Sequence, residues 1–205
     1  MNVRFLGMML IGFFLFENVV EAKQTACDCD EDKLPAFCRG ITCPKYTLVE
    51  KNKNFELRTY QPTSWVTTSL DKTHEGFLNS IFHLTMYMNG NNSDGILMEM
   101  AVPILVIIPV GKSPVNRTMM FLLPTEIENP PAPADADISF QNFKATSVYL
   151  RTFTDFSDGS AHAKKLAEVL NSQHKGFDRS FFILAIYHDP ILLIGRHFEV
   201  WFLAN

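Results

Sequence analysis

The stretch FELRTYQPTSWV (residues 55–66) alternates apolar and polar side chains, breaks at Pro62 and then resumes the alternation. A period of two is typical of a half-buried β-strand, and the break indicates a turn between two strands. Eighty-three residues later the chain reads ISFQNFKATSVY (residues 138–149), in nearly the same order of residue types. The sequence therefore predicts a strand–turn–strand unit that occurs twice.

In both copies a helix and two further strands follow. Between His74 and Met88 the apolar residues recur at helical spacing, at Phe77, Ile81, Leu84 and Met88. The extended runs ILMEMAVPILVII (96–108) and RTMMFLLP (117–124) come next. The second copy continues with a helical segment, SAHAKKLAEVLNSQHKG (160–176), closed by Gly176, and with the strands SFFILAIYH (180–188) and FEVWFLA (198–204).

The two halves, residues 46–124 and 138–205, share one order: strand, strand, helix, strand, strand. A proline-rich acidic linker, TEIENPPAPADAD (125–137), joins them. Each half has too few strands to bury both faces of a sheet by itself. We therefore predict one α+β domain over residues 46–205, a distorted eight-stranded, mostly antiparallel barrel made of duplicated β-β-α-β-β halves and flanked by two helices.

The N-terminus has the features of a signal peptide over residues 1–22. Arg4 precedes an apolar run from Phe5 to Phe16, and the segment ends in Val20-Glu21-Ala22, with small residues where a signal peptidase cleaves. The apolar run is too short to span a membrane. We expect cleavage and secretion to the extracellular space, with a retained signal anchor as the alternative.

All four cysteines, Cys27, Cys29, Cys38 and Cys43, lie within residues 23–45. An even, clustered set in an exported chain indicates two disulfides, for which three connectivities exist. A Cys27–Cys29 bridge would be strained, so we expect each of these two to pair with Cys38 or Cys43. The alternative, a zinc knuckle, lacks a CxxC pair. The segment is thus predicted to be a disulfide-stapled N-terminal cap.

Two sequons, at Asn91 and Asn116, agree with export and predict N-glycosylation. The formal net charge is −4, and no basic run or stripe occurs. This pattern argues against nucleic acid and against an anionic membrane surface as partners.

The sequence contains no motif typical of an enzyme. GxSxG, HExxH, the P-loop and GxGxxG are all missing. Asp155, Ser157 and Asp158 cluster, but they precede a helix, where such side chains cap backbone N–H groups. We therefore predict a protein that is not an enzyme and has no metal site.

Five segments resemble the SOUL/heme-binding protein family, in order and over most of the chain from Tyr46 to Ala204. They are FELRTYQPTSWVTTS (55–69), MEMAVPILV (98–106), NPPAPAD (129–135), VYLRTFTDFS (148–157) and GRHFEVWFL (195–203). The resemblance implies a duplicated α+β barrel and binding of heme or other tetrapyrroles. The signal and the cysteine cap fall outside the family's common pattern.

The resemblance also implies a ligand site. One branch of the family carries a proposed axial histidine where this chain has Thr59. Another branch is described as holding heme in an apolar cleft between the first helix and the final hairpin. By position this cleft would use Leu78, Ile81, Met86 and Leu192. Near three of these positions the family has basic residues that could contact the heme propionates, whereas this chain has Leu78, Met86 and Leu192. We therefore expect an apolar cleft without the axial histidine.

The function expected from these features is non-catalytic binding of heme, a porphyrin or a similar apolar or amphipathic small molecule by a secreted protein. The alternative is a protein-interaction module that has lost heme binding. In the family the second helix has been likened to an amphipathic docking helix, and LAEVLNSQ (166–173) has such an apolar stripe.

Overall fold

The computed structural model describes residues 34–187 and 196–205, and within them it contains nine β-strands and two α-helices. The predicted signal peptide, Cys27, Cys29 and Leu192 lie outside the described residues. The elements in chain order are β1 (Tyr46–Lys51), β2 (Glu56–Tyr60), β3 (Thr63–Ser69), α1 (His74–Met88), β4 (Ile104–Pro109), β5 (Thr118–Leu122), β6 (Ile138–Phe143), β7 (Thr146–Phe153), α2 (Ser160–Ser172), β8 (Phe181–Ile186) and β9 (Phe198–Leu203). Neither helix in this part of the chain is long and apolar enough to cross a membrane.

All nine strands form one antiparallel sheet, in the order β1-β2-β7-β9-β8-β4-β5-β3-β6. The sheet is a curled half-barrel that carries two helices, which confirms the predicted α+β class. The ninth strand is β1, which extends the eight predicted strands at the edge beside β2.

The duplicated pattern produces a two-fold arrangement in which the halves exchange their first strands. Strand β2 pairs with β7 of the second half, and β3 pairs with β6. The registers are equivalent, because Tyr60 lies opposite Thr146 and Phe143 lies opposite Thr63. The equivalent strands of the two halves are β2 and β6, β3 and β7, β4 and β8, and β5 and β9. Exchanging each strand for its equivalent reverses the order from β2 to β6, as a two-fold axis requires. Both halves therefore contribute strands to one continuous sheet.

Helix α1 begins and ends as predicted. Its N-cap is Thr73, whose hydroxyl accepts the backbone N–H of Gly76 at 2.9 Å. The helix packs on β3 and β5. It buries Leu84 and Met88 of the predicted stripe completely, and Phe77 and Ile81 partly.

Helix α2 packs on β7 and β9 and buries Ala163, Leu166 and Leu170. Its N-cap is Gly159, with φ of +76°, and the Asp158 carboxylate accepts the backbone N–H of Ser160 at 3.0 Å. The helix ends at Ser172, earlier than the prediction at Gly176. His174 takes the left-handed conformation there instead of a glycine.

The N-terminal cap contains a disulfide between Cys38 and Cys43, with a Cα–Cα distance of 6.2 Å. The prediction that these two cysteines pair with Cys27 and Cys29 is therefore wrong. The reason is local: Arg39 and Gly40 both adopt positive φ and reverse the chain between the two cysteines. Both half-cystines are buried and belong to the same core cluster as Trp65 and Trp201.

Candidate ligand-binding site

Helix α1 presents three chemically different faces. The first is buried and includes Leu84, Tyr87 and Met88, all with no exposed surface. The Tyr87 hydroxyl donates to the Pro131 carbonyl at 2.9 Å. Burial, with a smaller effect from the Asp94 carboxylate, raises the pKa of Tyr87 to about 12. This face anchors the helix to the sheet and to the linker.

The second face of α1 is apolar and exposed. Leu78, Phe82 and Met86 follow each other at intervals of four residues and are 46%, 62% and 40% exposed. Leu97, 76% exposed, lies beside the end of the helix, where it bridges to Asn89. These four side chains are called the outer stripe below. Large apolar side chains that adjoin each other in water are typical of a binding surface.

The structure places the predicted cleft residues in different environments. Leu78 and Met86 belong to the outer stripe, whereas Ile81 is partly buried and packs against the core. Phe82 and Leu97 were not predicted, although the spacing of Leu78, Phe82 and Met86 contains the signal for a second apolar face. Leu192 is outside the described residues, so its role stays a prediction.

Thr59 lies apart from the outer stripe. It is on β2 opposite Ser147 of β7, and the two hydroxyls are 2.8 Å apart. Strand β7 supports α2, whereas α1 packs on β3 and β5. The side chain at position 59 is therefore engaged in a cross-strand hydrogen bond near the other helix.

The third face of α1 lines a polar cavity of about 260 Å³ between the helix, the end of β3 and the start of β6. His83 Nδ1 lies 2.5 Å from a carboxylate oxygen of Asp135, in the linker. The other oxygen of Asp135 accepts the backbone N–H of Asp137 at 2.9 Å. The Asp137 N–H and, to a smaller extent, the His83 ring hold the pKa of Asp135 below its ordinary value.

A separate apolar cleft opens on the opposite face of the sheet, between Trp65 and Trp201. Tyr60, Leu105 and Phe143 are among its other lining residues. Its volume of about 30 Å³ is enough for one water molecule, far below the several hundred Å³ of a typical small-molecule site. A flat ligand of tetrapyrrole size does not fit there.

Next to this cleft lies a buried ion pair that sequence reasoning missed. Arg58 donates to the Glu199 carboxylate at 3.0 Å, and both side chains are almost fully buried. The Trp201 indole N–H donates to the same carboxylate at 2.7 Å. Burial and the Glu199 charge raise the pKa of Tyr60 and of Tyr187 well above the ordinary tyrosine value. The pair joins β2 of one half to β9 of the other, and its polar atoms are used internally.

The apolar stripe of α2 is not available to a partner protein in this structure. Leu166 and Leu170 have no exposed surface because they pack into the core. The two sequon asparagines, Asn91 and Asn116, are both exposed. Glycosylation at these positions stays a prediction.

Comparisons with known proteins agree with this architecture. A family model described as SOUL heme-binding protein matches residues 41–203. Heme-binding protein 2 of Homo sapiens is 26% identical over 161 residues, which are 74% of this chain and 78% of that protein. Heme-binding protein 1 of Xenopus laevis is 23% identical over 179 residues, or 81% of this chain and 94% of its own length.

Solved structures share the fold at low sequence identity. The C-terminal domain of EcmrR aligns with a TM-score of 0.52 at 10% identity, over 74% of this chain and 96% of that domain. A hydrolase from Listeria innocua aligns with a TM-score of 0.51 at 12% identity, over 75% of this chain and 93% of its own. At such identity the likeness concerns the backbone arrangement alone.

Proposed function

The chain belongs to the SOUL heme-binding protein family, and we propose that it binds heme, another tetrapyrrole or a similar apolar small molecule on the outer stripe of α1. The observation that carries this proposal is the exposed row Leu78–Phe82–Met86, continued by Leu97. The function is binding without catalysis, and the named relatives support heme as the leading ligand.

The outer stripe suits the flat apolar face of a tetrapyrrole. Covering exposed apolar side chains is favourable by roughly 25 cal/mol per Å². An aromatic ring such as that of Phe82 also stacks favourably on another π-system.

The proposed site contains no histidine equivalent to the axial ligand of the other family branch. Thr59 supplies no imidazole, and its hydroxyl is engaged with Ser147. His83 lies on α1, but its ring is held by Asp135 in the polar cavity. The site would therefore hold a tetrapyrrole by its face, and it would hold an iron-free porphyrin about as well as heme.

Secretion is part of the same proposal. The signal-like segment over residues 1–22 supports export. The buried Cys38–Cys43 disulfide supports an oxidising compartment, because such bonds are rare in the cytosol. Detecting the cleaved, glycosylated chain in the medium of expressing cells tests this part, and a chain retained inside the cell would contradict it.

A hemin titration followed by Soret absorption tests the site. The mature protein should bind one equivalent, and Phe82→Asp should weaken binding at least tenfold because it puts a charge in the centre of the stripe. The matched control is Phe156→Asp, which changes a phenylalanine of similar exposure near α2. Equal loss in both variants, or no saturable binding by the parent, would refute the proposal.

Thr59→His distinguishes the two possible locations of the ligand. With heme on the outer stripe, the variant keeps the parent spectrum, because residue 59 lies on the α2 side of the molecule. A histidine-ligated Soret band in the variant would instead place the heme beside β2.

A further inference from the structure

Three side chains of the metal-ligand type meet at the edge of the polar cavity beside α1. His83 comes from the middle of α1, and Asp135 and Asp137 both come from the end of the linker, directly before β6. One ligand atom from each lies within 4.8 Å of the other two. Asp135 and Asp137 are neighbours in the sequence, whereas His83 is more than 50 positions away, so the packing of α1 against this segment brings the histidine to the two carboxylates.

The donor set suits a divalent transition-metal ion. One imidazole nitrogen with two carboxylate oxygens is a common combination for Zn²⁺, with bonds of about 2.1 Å. In tetrahedral geometry such bonds separate the ligand atoms by about 3.4 Å. Since Asp137 is exposed and His83 is partly exposed, small side-chain rotations bring the three atoms to that spacing.

One of the three ligands is already oriented. The Asp137 backbone N–H holds one oxygen of Asp135, which turns the other oxygen toward the His83 ring. A carboxylate fixed in this way loses little side-chain entropy when a cation binds. The adjoining backbone is also constrained, because the Thr68 hydroxyl donates to the Asp137 carbonyl at 3.1 Å.

The adjoining cavity is an independent observation that favours a cation. It holds about 260 Å³, and its lining includes the carboxylates of Asp71, Glu75 and Asp137. The remaining lining side chains are hydroxyl, amide or imidazole groups apart from Gly76, and no lysine or arginine of the described chain is among them. The cavity has room for the water molecules that would complete the coordination shell.

From these observations we infer that His83, Asp135 and Asp137 bind a divalent transition-metal ion such as Zn²⁺, with its remaining coordination positions directed into the polar cavity. The inference is separate from ligand binding on the outer stripe, which lies on another face of α1. It revises the prediction that the chain has no metal site.

The molecule contains a natural control. His162 on α2 is likewise paired with an aspartate, with its Nε2 2.8 Å from Asp155, whereas His83 uses Nδ1 toward Asp135. The His162 ring stacks on Phe153, and in the described part of the chain no third His, Cys, Asp or Glu joins this pair. The second pair should therefore not bind the ion.

The test is a calorimetric titration of ZnCl₂ into the tag-free, mature protein. It is run without reductant, so that the Cys38–Cys43 disulfide stays closed, and in a Cys27→Ser/Cys29→Ser background, so that no thiol competes for the metal. Hemin is left out, so that the result is independent of the outer stripe. We expect one ion per chain, and we expect His83→Gln and Asp137→Asn each to weaken binding at least tenfold. His162→Gln and Asp155→Asn should leave the affinity unchanged.

Circular dichroism and the midpoint of thermal unfolding show whether each variant is folded. Asp137→Asn is the decisive variant, because the exposed Asp137 side chain can be changed without disturbing the core. Absence of saturable Zn²⁺ binding by the parent overturns the inference. Unchanged affinity in Asp137→Asn with the fold intact also overturns it.

Discussion

The two helices occupy equivalent places in the duplicated fold but have different outer faces. Helix α2 turns Lys164, Lys165 and Glu168 toward water, as a helix with one buried face should. Helix α1 instead exposes Leu78, Phe82 and Met86. Since α2 shows that one buried stripe is enough to dock a helix on this sheet, the core does not require the second apolar stripe of α1. This difference is the reason for proposing α1 as the binding element.

The largest expected effect concerns the buried face that each helix turns toward the core. Leu84 and Leu166 are both completely buried, one under each helix. Leu84→Ala and Leu166→Ala should each lower the free energy of unfolding by about 3 kcal/mol, from lost burial and the cavity left behind. Urea denaturation measures this. A loss below about 1 kcal/mol for either variant would show that the helices are not equivalent core elements.

A second effect, of intermediate size, concerns the different N-caps of the two helices. A side chain at Gly159 must tolerate φ of +76°, and its Cβ would lie 2.9 Å from a Val200 methyl group. Gly159→Ala should therefore cost about 2 kcal/mol. Thr73→Ala removes only the side-chain cap of α1 and should cost about 1 kcal/mol, whereas Thr73→Ser should cost little. Thermal unfolding of the three variants checks the order, and a neutral Gly159→Ala would contradict it.

The smallest effect is a difference in pH dependence. Tyr87 under α1 has its pKa raised to about 12, whereas α2 buries Leu170, which does not titrate. An acid whose pKa is higher in the folded state stabilises the fold below its unfolded pKa, near 10, and this stabilisation is lost as the pH rises from about 10 to about 12. Tyr87→Phe should therefore make the decline of stability over this range less steep.

The measurement for Tyr87 is urea denaturation at several pH values between 9 and 12, combined with tyrosinate absorption. Tyr60 and Tyr187 also have raised pKa values, so the variant keeps part of the decline. Leu170→Met is the control and should keep the parent slope. An unchanged slope in Tyr87→Phe would show that Tyr87 ionises equally in both states.

Local patterns in the sequence predicted local structure well. The apolar spacing gave α1 the same ends, His74 and Met88, that the structure has. Alternation and turns located the strands, and the repeat predicted the duplicated α+β class. Of the outer stripe, the family resemblance named Leu78 and Met86, whereas Phe82 and Leu97 were missed because the apolar period of α1 was assigned to a single core-facing stripe.

The remaining features depend on contacts between distant residues. Arg58 and Glu199 are 141 positions apart, and His83 and Asp135 are 52 positions apart. No periodicity connects such residues, because their proximity follows from the strand order and not from local spacing. The Cys38–Cys43 disulfide was mispredicted for a different reason. It depends on two left-handed residues whose conformation the sequence does not reveal.

The exchange of first strands also has a consequence for biosynthesis. On the ribosome β2 is complete about 90 residues before its partner β7, which corresponds to about 5 to 20 seconds at common elongation rates. During this interval one edge of β2 has backbone N–H and C=O groups without their native partners, a state that favours pairing with other chains. Protection of that edge until the second half emerges would therefore favour the native pairing, and slowing translation within the linker would prolong the exposure.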